Sequence, residues 1–365
     1  MSSAKKMLCL WLLVIGTSFT PTLCAEPYLA IKNNQKCSAC HVDPNGGGAR
    51  NTYGAYYGSQ VLPQKPGSLD PFDGGQITET VRVGGDFRFN YAWLDQENTE
   101  QQQSFGTQSG QLYITVQPKG GKFLLHIDEQ VMPSGALNRQ AFVVTRLNAN
   151  HSLKAGTFIL PYGLRLEDDS AYSRQASQIN FDSNDSGVEW AMEYNKLLVN
   201  LAVTNGTASQ TNDDDRMAYA TRAEYYGDQW RVGGGYIVND ATAGERALAN
   251  VFGGFHWRGF IFMFEVGRIE DQSISNVIGE NQVQWINFFE VNKELATGYN
   301  LKLTTEYLDP DGDIKDNERQ RHSLLLEYTP FANLQVRGGV RVGDDIPIDV
   351  GGDFTDAFVQ LHFYY

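Results

Sequence analysis

The sequence lacks any helix-length membrane span. Such a span needs roughly 18 or more apolar residues, and the one long apolar run, Met7 to Ile15, is far shorter. A helical membrane protein is therefore excluded. Positive charge is scarce too: 29 Lys and Arg face 43 Asp and Glu, a formal charge of -14 over 365 residues. That balance excludes a nucleic-acid partner, because phosphate binding depends on Lys and Arg releasing counterions. Proline is sparse at 12 and cysteine at 4. What is abundant is glycine, at 37, together with 20 Phe, 18 Tyr and 6 Trp. Aromatics suit the pleat and glycine the tight corners of an all-β protein with many turns.

Residues 1–25 read as a secretory signal peptide, with a basic start at Lys5 and Lys6, an apolar centre at Leu10 to Ile15 and an exit at Ala25. Leu23 stands before Cys24 where a lipoprotein signal would place a small residue, so no lipid anchor is expected. Cleavage after Ala25 removes Lys5, Lys6, Cys9 and Cys24, leaving 27 Lys and Arg against the same 43 acidic residues. Two cysteines then remain, Cys37 and Cys40.

They belong to Cys37-Ser38-Ala39-Cys40-His41, the C-x-x-C-H signature of covalent c-type haem attachment. Each thiol forms a thioether to a porphyrin vinyl group, and the adjacent imidazole reaches the iron. A zinc site would want a second ligand pair, and a thioredoxin-like pair a strand-helix context. A structural disulfide in an exported chain stays open. The run Gly46-Gly47-Gly48 would let backbone pass close to a flat ligand. Residues 26–78 are too few to bury a haem alone, so residues 79–365 must cover it.

From Glu79 onward, segments of about ten residues alternate apolar and polar side chains, as in Val81, Val83, Phe87, Phe89, Tyr91 and Trp93. Sixteen such segments start near 80, 111, 122, 140, 151, 187, 197, 216, 229, 248, 260, 282, 298, 320, 333 and 355. Short connections, such as 195–196 and 258–259, take turns with long polar ones at 95–109, 133–139, 161–186, 205–215, 239–247, 269–281, 308–319 and 343–353. A soluble sandwich has no reason to keep that order. The pattern predicts an all-β fold, a 16-stranded antiparallel transmembrane β-barrel following a short haem-binding segment that folds in or under it. An even strand count puts both termini on the periplasmic, short-turn side, and the last strand ends on an aromatic, Tyr365.

The combination of signal peptide, Tyr28-Leu29-Ala30, Lys36 to Val42, the glycine run and a sixteen-stranded barrel resembles the fused monohaem cytochrome-porins of the bacterial outer membrane, whose best-known members are iron oxidases. Gly156-Thr157-Phe158-Ile159-Leu160-Pro161-Tyr162-Gly163-Leu164 is similar to the strand-end motif of phosphate-selective porins. The resemblance implies one covalent haem c held by Cys37 and Cys40, with His41 as proximal iron ligand. No motif marks a sixth ligand. Met132, at a loop mouth, and His126, facing inward, are the candidates, with a vacant or water-occupied sixth site the alternative. By parity Met263 and His362 also face inward, while Met192, Met217 and His322 face lipid.

Acidic residues gather in the long connections: Glu167 to Asp169, Asp213 to Asp215, Asp309, Asp311, Asp313, Asp316, Asp344, Asp345, Asp349 and Asp353. A ring of carboxylates at the outer mouth would concentrate cations. Inward Arg82, Arg88, Arg222, Arg231, Arg321, Arg337 and Arg341 mix with Asp86, Glu224 and Glu306; some could pair with haem propionates, and most read as a solvated lumen wall. The function expected is an outer-membrane electron-transfer protein of a Gram-negative cell. It would pass electrons between an extracellular donor or acceptor, ferrous iron in its most concrete form, and a periplasmic cytochrome. The alternative is a diffusion channel for small solutes, with the haem segment as a plug or docking tag.

Overall fold

The structure, a computed structural model, describes residues 26–68, 74–133, 135–208, 211–212, 214–242, 244–272, 281–345 and 352–365. The expected signal peptide, Asp213 and Asp349 lie outside the described residues. Sixteen strands run in chain order and close into one antiparallel barrel: β1 (Val81–Gln96), β2 (Gln102–Val116), β3 (Phe123–Met132), β4 (Leu137–Arg146), β5 (His151–Phe158), β6 (Asp185–Tyr194), β7 (Leu197–Thr204), β8 (Ala218–Tyr226), β9 (Trp230–Ala241), β10 (Gly244–Trp257), β11 (Phe260–Gln272), β12 (Gln282–Ala296), β13 (Tyr299–Asp309), β14 (Arg319–Phe331), β15 (Leu334–Asp345) and β16 (Phe354–Tyr364). The ring shuts between β1 and β16, with Asp86 opposite Tyr364 and Gln96 opposite Phe354. Closure leaves no unpaired sheet edge.

Alternation does the sorting. In β7, Leu197, Leu201 and Val203 point out while Leu198, Asn200, Ala202 and Thr204 are buried. Along the other strands Phe87, Phe89, Trp190, Tyr219, Val266, Leu303 and Phe363 likewise stand exposed on the outer face. His126, Met263 and His362 are buried as parity predicts, and Met217 and His322 are exposed. Two connections differ from expectation. Strand β2 starts at Gln102, so the first long connection shrinks to 97–101, and β9 and β10 are joined across 242–243. Polar residues such as Gln102, Gln103 and Gln108 continue the sheet beyond the apolar part of the strand, where composition alone reads as loop.

The lumen is packed. The connection 159–184 folds inward, carrying a short helix at Tyr172–Ser177. Its Leu160 and Tyr162 join Phe142, Ile237, Leu248 and Ile269 in one buried cluster. Leu164 and Leu166 join Tyr28, Ile31, Ile261 and Phe288 in a second. Each such leucine contributes on the order of 1.5–3 kcal/mol through its removal from water. The reading of the inward arginines as a solvated wall is corrected here. Arg88 and Arg337 both grip Glu167, and Arg321 grips Glu306, with all five side chains buried. A lumen filled by a loop leaves little water, so the charges pair.

Candidate functional site

The segment before β1 enters at the short-turn end. Helix α1 (Pro27–Lys32) opens with Pro27, whose fixed φ suits a first turn. A single 3-10 turn holds Cys37–Ala39, and helix α2 (Thr52–Tyr56) follows the glycine run. Backbone bonds from Gln64 N to Thr329 O and from Lys65 N to Pro330 O tie the segment's end to the β14–β15 hairpin. Lys36 donates to Asn195 O in the β6–β7 turn. Deeper in, Lys154 of β5 places its ammonium 2.8 Å from Asp43 Oδ1 and 3.1 Å from Glu189 Oε2. Burial alone would raise Asp43, but Lys154, Arg165 and the Asn45 N–H outweigh it and hold the carboxyl below its ordinary range.

Asn51 organises the motif from below. Its Oδ1 accepts from Gly54 N at 3.0 Å, capping α2. Its Nδ2 donates toward the carbonyls of Ser38, Ala39 and His41 at 3.2, 3.0 and 3.3 Å. Gly54 must be glycine: a Cβ there would lie 2.0 Å from Cys40 O. Gly46, Gly47 and Gly48 take φ of +90°, +82° and +59°, a left-handed run that carries the backbone past Cys37 Sγ and the Phe181 ring.

Cys37, Cys40 and His41 all line one cavity with an empty volume of about 1060 Å³, part of it open to solvent, with Gly46, Gly47, Tyr57, Leu164, Arg165 and Tyr364 among its walls. The bare backbone of Gly46 and Gly47 beside Leu164 and Tyr57 gives a wall on which a flat group can lie. The two thiols are not joined in a disulfide. Burial, then the Glu224 charge, pushes the Cys37 thiol up against the pull of Arg231, and burial with the neighbouring Cys37 does the same to Cys40. Burial and Arg50 push His41 down to about 4, while Asp43 and the backbone of Gly47 and Gly48 pull the other way. His41 is thus a neutral imidazole, and its buried Nδ1 has no hydrogen-bond partner. Two open thiols, a neutral imidazole with an unpartnered nitrogen and a glycine-lined wall fit covalent haem.

The sixth-ligand candidates are not brought to this cavity. Met132 is exposed at the end of β3, and His126 is buried between Thr115, 3.2 Å from its Nδ1, and Phe142. Of the other inward candidates only His362 lines the cavity, and its ring is engaged on both sides, by Gln335 at 3.1 Å and Asp86 at 2.9 Å. No methionine is among its described lining residues. The expected acidic mouth is corrected in part. Glu167, Asp168 and Asp169 do not ring the outer opening; they lie in the lumen with the inward connection, Asp168 between Arg341 and Arg321. Sequence reasoning missed Arg165 and the covering role of 159–184. The signal was present in Leu160, Leu164 and Leu166, apolar residues that an exposed loop does not keep.

Beside the cavity, Glu26, Glu167 and Glu327 bring carboxylate oxygens within 4.8 Å of one another. Lys302 Nζ lies 3.1 Å from Glu26 and 3.2 Å from Glu327. Burial, then Glu167 and Glu327, hold Glu26 well above the usual carboxylate range against the pull of Lys302.

No protein-family model matches the chain, and no curated protein sequence does. Solved structures do. An anion-selective porin from Comamonas acidovorans superposes with a TM-score of 0.63 at 9% identity, covering 78% of this chain and 99% of that one. A loop-deletion mutant of OmpT, an outer membrane protein of Vibrio cholerae, gives 0.59 at 12% identity over 79% and 100%. The outer membrane channel DcaP of Acinetobacter baumannii gives 0.57 at 10% identity over 78% and 97%. Likeness at such identities concerns the fold, and the fold is the closed sixteen-stranded barrel of outer-membrane porins.

Proposed function

We propose that the chain is an outer-membrane electron-transfer protein of a Gram-negative cell, with one covalent haem c in the lumenal cavity. It would exchange electrons between an extracellular donor or acceptor and a periplasmic cytochrome. The observation that carries this reading is the convergence of Cys37, Cys40 and His41 on one large cavity inside the barrel. The apolar outer face supports a bilayer setting, with short turns and both chain ends on the periplasmic side. Haem, when bound, supplies one-electron chemistry at its iron. The chain's own contribution is to hold the group, to set its field through the surrounding arginines and to keep bulk water away through the packed lumen. Asn51 and Gly54 fix the turn that presents His41.

The test is a visible spectrum and haem stain of protein matured with the c-type attachment machinery. Covalent haem is expected, lost in the Cys37→Ala/Cys40→Ala variant while the barrel stays heat-modifiable on a gel. A spectral change on mixing with ferrous iron or with a reduced periplasmic cytochrome supports electron transfer. Haem staining that survives the double substitution overturns the attachment site. A second reading, a diffusion channel, is favoured by the likeness to porins. Large steady conductance in a planar bilayer would select it.

A further inference from the structure

Five cations, Lys36, Arg50, Arg165, Arg222 and Arg231, line the cavity against two carboxyl groups, Glu26 and Glu224. Most are already engaged. Lys36 pairs with Glu193. Arg222 and Arg231 share Glu224, at 2.7 and 3.3 Å, and donate to the carbonyls of Gly163 and Gln35. Arg50 lies over the Tyr364 ring at 4.4 Å. Arg165 differs. It is 8% exposed, its guanidinium sits over the Phe181 ring at 6.0 Å, and it forms no hydrogen bond or salt bridge among the described residues. Asp43 is its strongest attractor, yet no salt bridge joins the two: Asp43 Oδ1 receives Lys154 and the Asn45 N–H, and Oδ2 is left without a hydrogen-bond partner. Glu189 is likewise held by Lys154 and by the amides of Asn45 and Asn200.

A buried guanidinium without an anion is costly, and its planar fork matches a carboxylate with two parallel bonds. Burial first, then Arg174 and Arg222, push Arg165 down to about 10 against the attraction of Asp43 and Glu189. We propose that Arg165 is the anchor for a carboxylate of the cavity's occupant, which on the haem reading is a propionate. The inference deepens that reading and rests on it. Phe181 and Gly47 fix the arginine's stem, since a Cβ on Gly47 would meet the Phe181 ring at 2.9 Å and Arg165 Cγ at 3.6 Å. The guanidinium is thereby presented from the inward connection while the thiols and imidazole hold the group from the N-terminal segment.

The experiment compares haem-loaded wild type, Arg165→Gln and Arg165→Lys by redox titration from pH 5 to 9 and by the propionate bending band in resonance Raman. Loss of the cation favours ferric haem. Arg165→Gln is expected to shift the oxidised-to-reduced equilibrium on the order of tenfold, ~59 mV downward for a one-electron couple. It should also make the potential pH-dependent as the freed propionate titrates, and move the Raman band. Arg165→Lys should retain most of the wild-type potential. Covalent haem in all three proteins with an unchanged potential, pH profile and Raman band overturns the assignment and leaves the haem reading standing. Wild type matured without covalent haem overturns both.

Discussion

Lys154→Met tests what holds the N-terminal segment in the lumen. Methionine keeps most of the volume and removes the ammonium that pairs directly with both Asp43 and Glu189, in a site where all three side chains are almost wholly buried. Breaking a buried pair by removing one partner costs about 3–5 kcal/mol. Glu189 keeps the amides of Asn45 and Asn200, whereas Asp43 keeps only the Asn45 N–H and has a buried Oδ2 with no partner. Relief therefore comes from Asp43 swinging toward water with its segment while the barrel stands, a local opening. At 1.4 kcal/mol per tenfold, the open population should rise roughly a hundredfold to a few thousandfold. Hydrogen exchange of the folded, detergent-solubilised protein reads this directly. Amides of 37–51 should exchange faster by that factor and strand amides at the wild-type rate. Asp43→Asn, which leaves Lys154 with Glu189, should have a smaller effect, and adding it to Lys154→Met should recover part of the loss. Exchange in 37–51 within twofold of wild type, with Lys154→Met folded, would refute the reasoning.

Gly54→Ala drives a methyl into the Cys40 carbonyl; a loss of about 1–3 kcal/mol from overpacking should appear as protease sensitivity confined to 26–68. Asp168 is held down to about 2 by Arg341 and Arg321, which outweigh its burial. Its folded value lies below the unfolded one, so its contribution is present above pH ~4 and lost as pH falls through about 2. The shift corresponds to roughly 2 kcal/mol, discounted to about 1–2 because the carboxylate is a quarter exposed. Urea midpoints from pH 5 to 2 should fall less steeply in Asp168→Asn, and parallel slopes would contradict this. Asp169 is the opposite case: burial holds it well above its ordinary range, against the pull of Arg139 and the Phe181 backbone. Raised in the fold, it contributes less as pH rises through its folded value. Asp169→Asn should therefore stabilise at pH 8 by about 1–3 kcal/mol and change little at pH 4.

The strands were legible because membrane barrels and alternation share one rule: a period of two on a surface with two unlike faces. Starts such as His151, Leu197, Phe260 and Gln282 coincide with the alternating segments. The start of β2 did not, since Gln102, Gln103, Ser104, Thr107 and Gln108 extend the sheet with polar residues on both faces around the single aromatic Phe105. Parity placed Arg88, Arg222, Arg337, Glu224 and Glu306 inward but said nothing of partners. Which cation meets which carboxylate depends on register across strands far apart in sequence, as with Arg337 and Glu167, and on a connection that folds inward. The motif residues were legible one by one from local spacing. Their surroundings were not, because Arg165 from the inward connection and His362 and Tyr364 from β16 reach the motif's cavity from two distant parts of the chain.

Strand β16 closes the ring, and it also carries His362 and Tyr364, two walls of the cavity; Tyr364 Oη donates to Gly58 O at 3.1 Å. The pocket is therefore unfinished until the final seam of the barrel is sewn. An occupant tethered to Cys37 and Cys40, as proposed, would ride on the segment that β16 closes over, so closure of the barrel would double as inspection of its cargo. A segment that carries nothing, or carries it wrongly seated, would present itself as a seam that closes late.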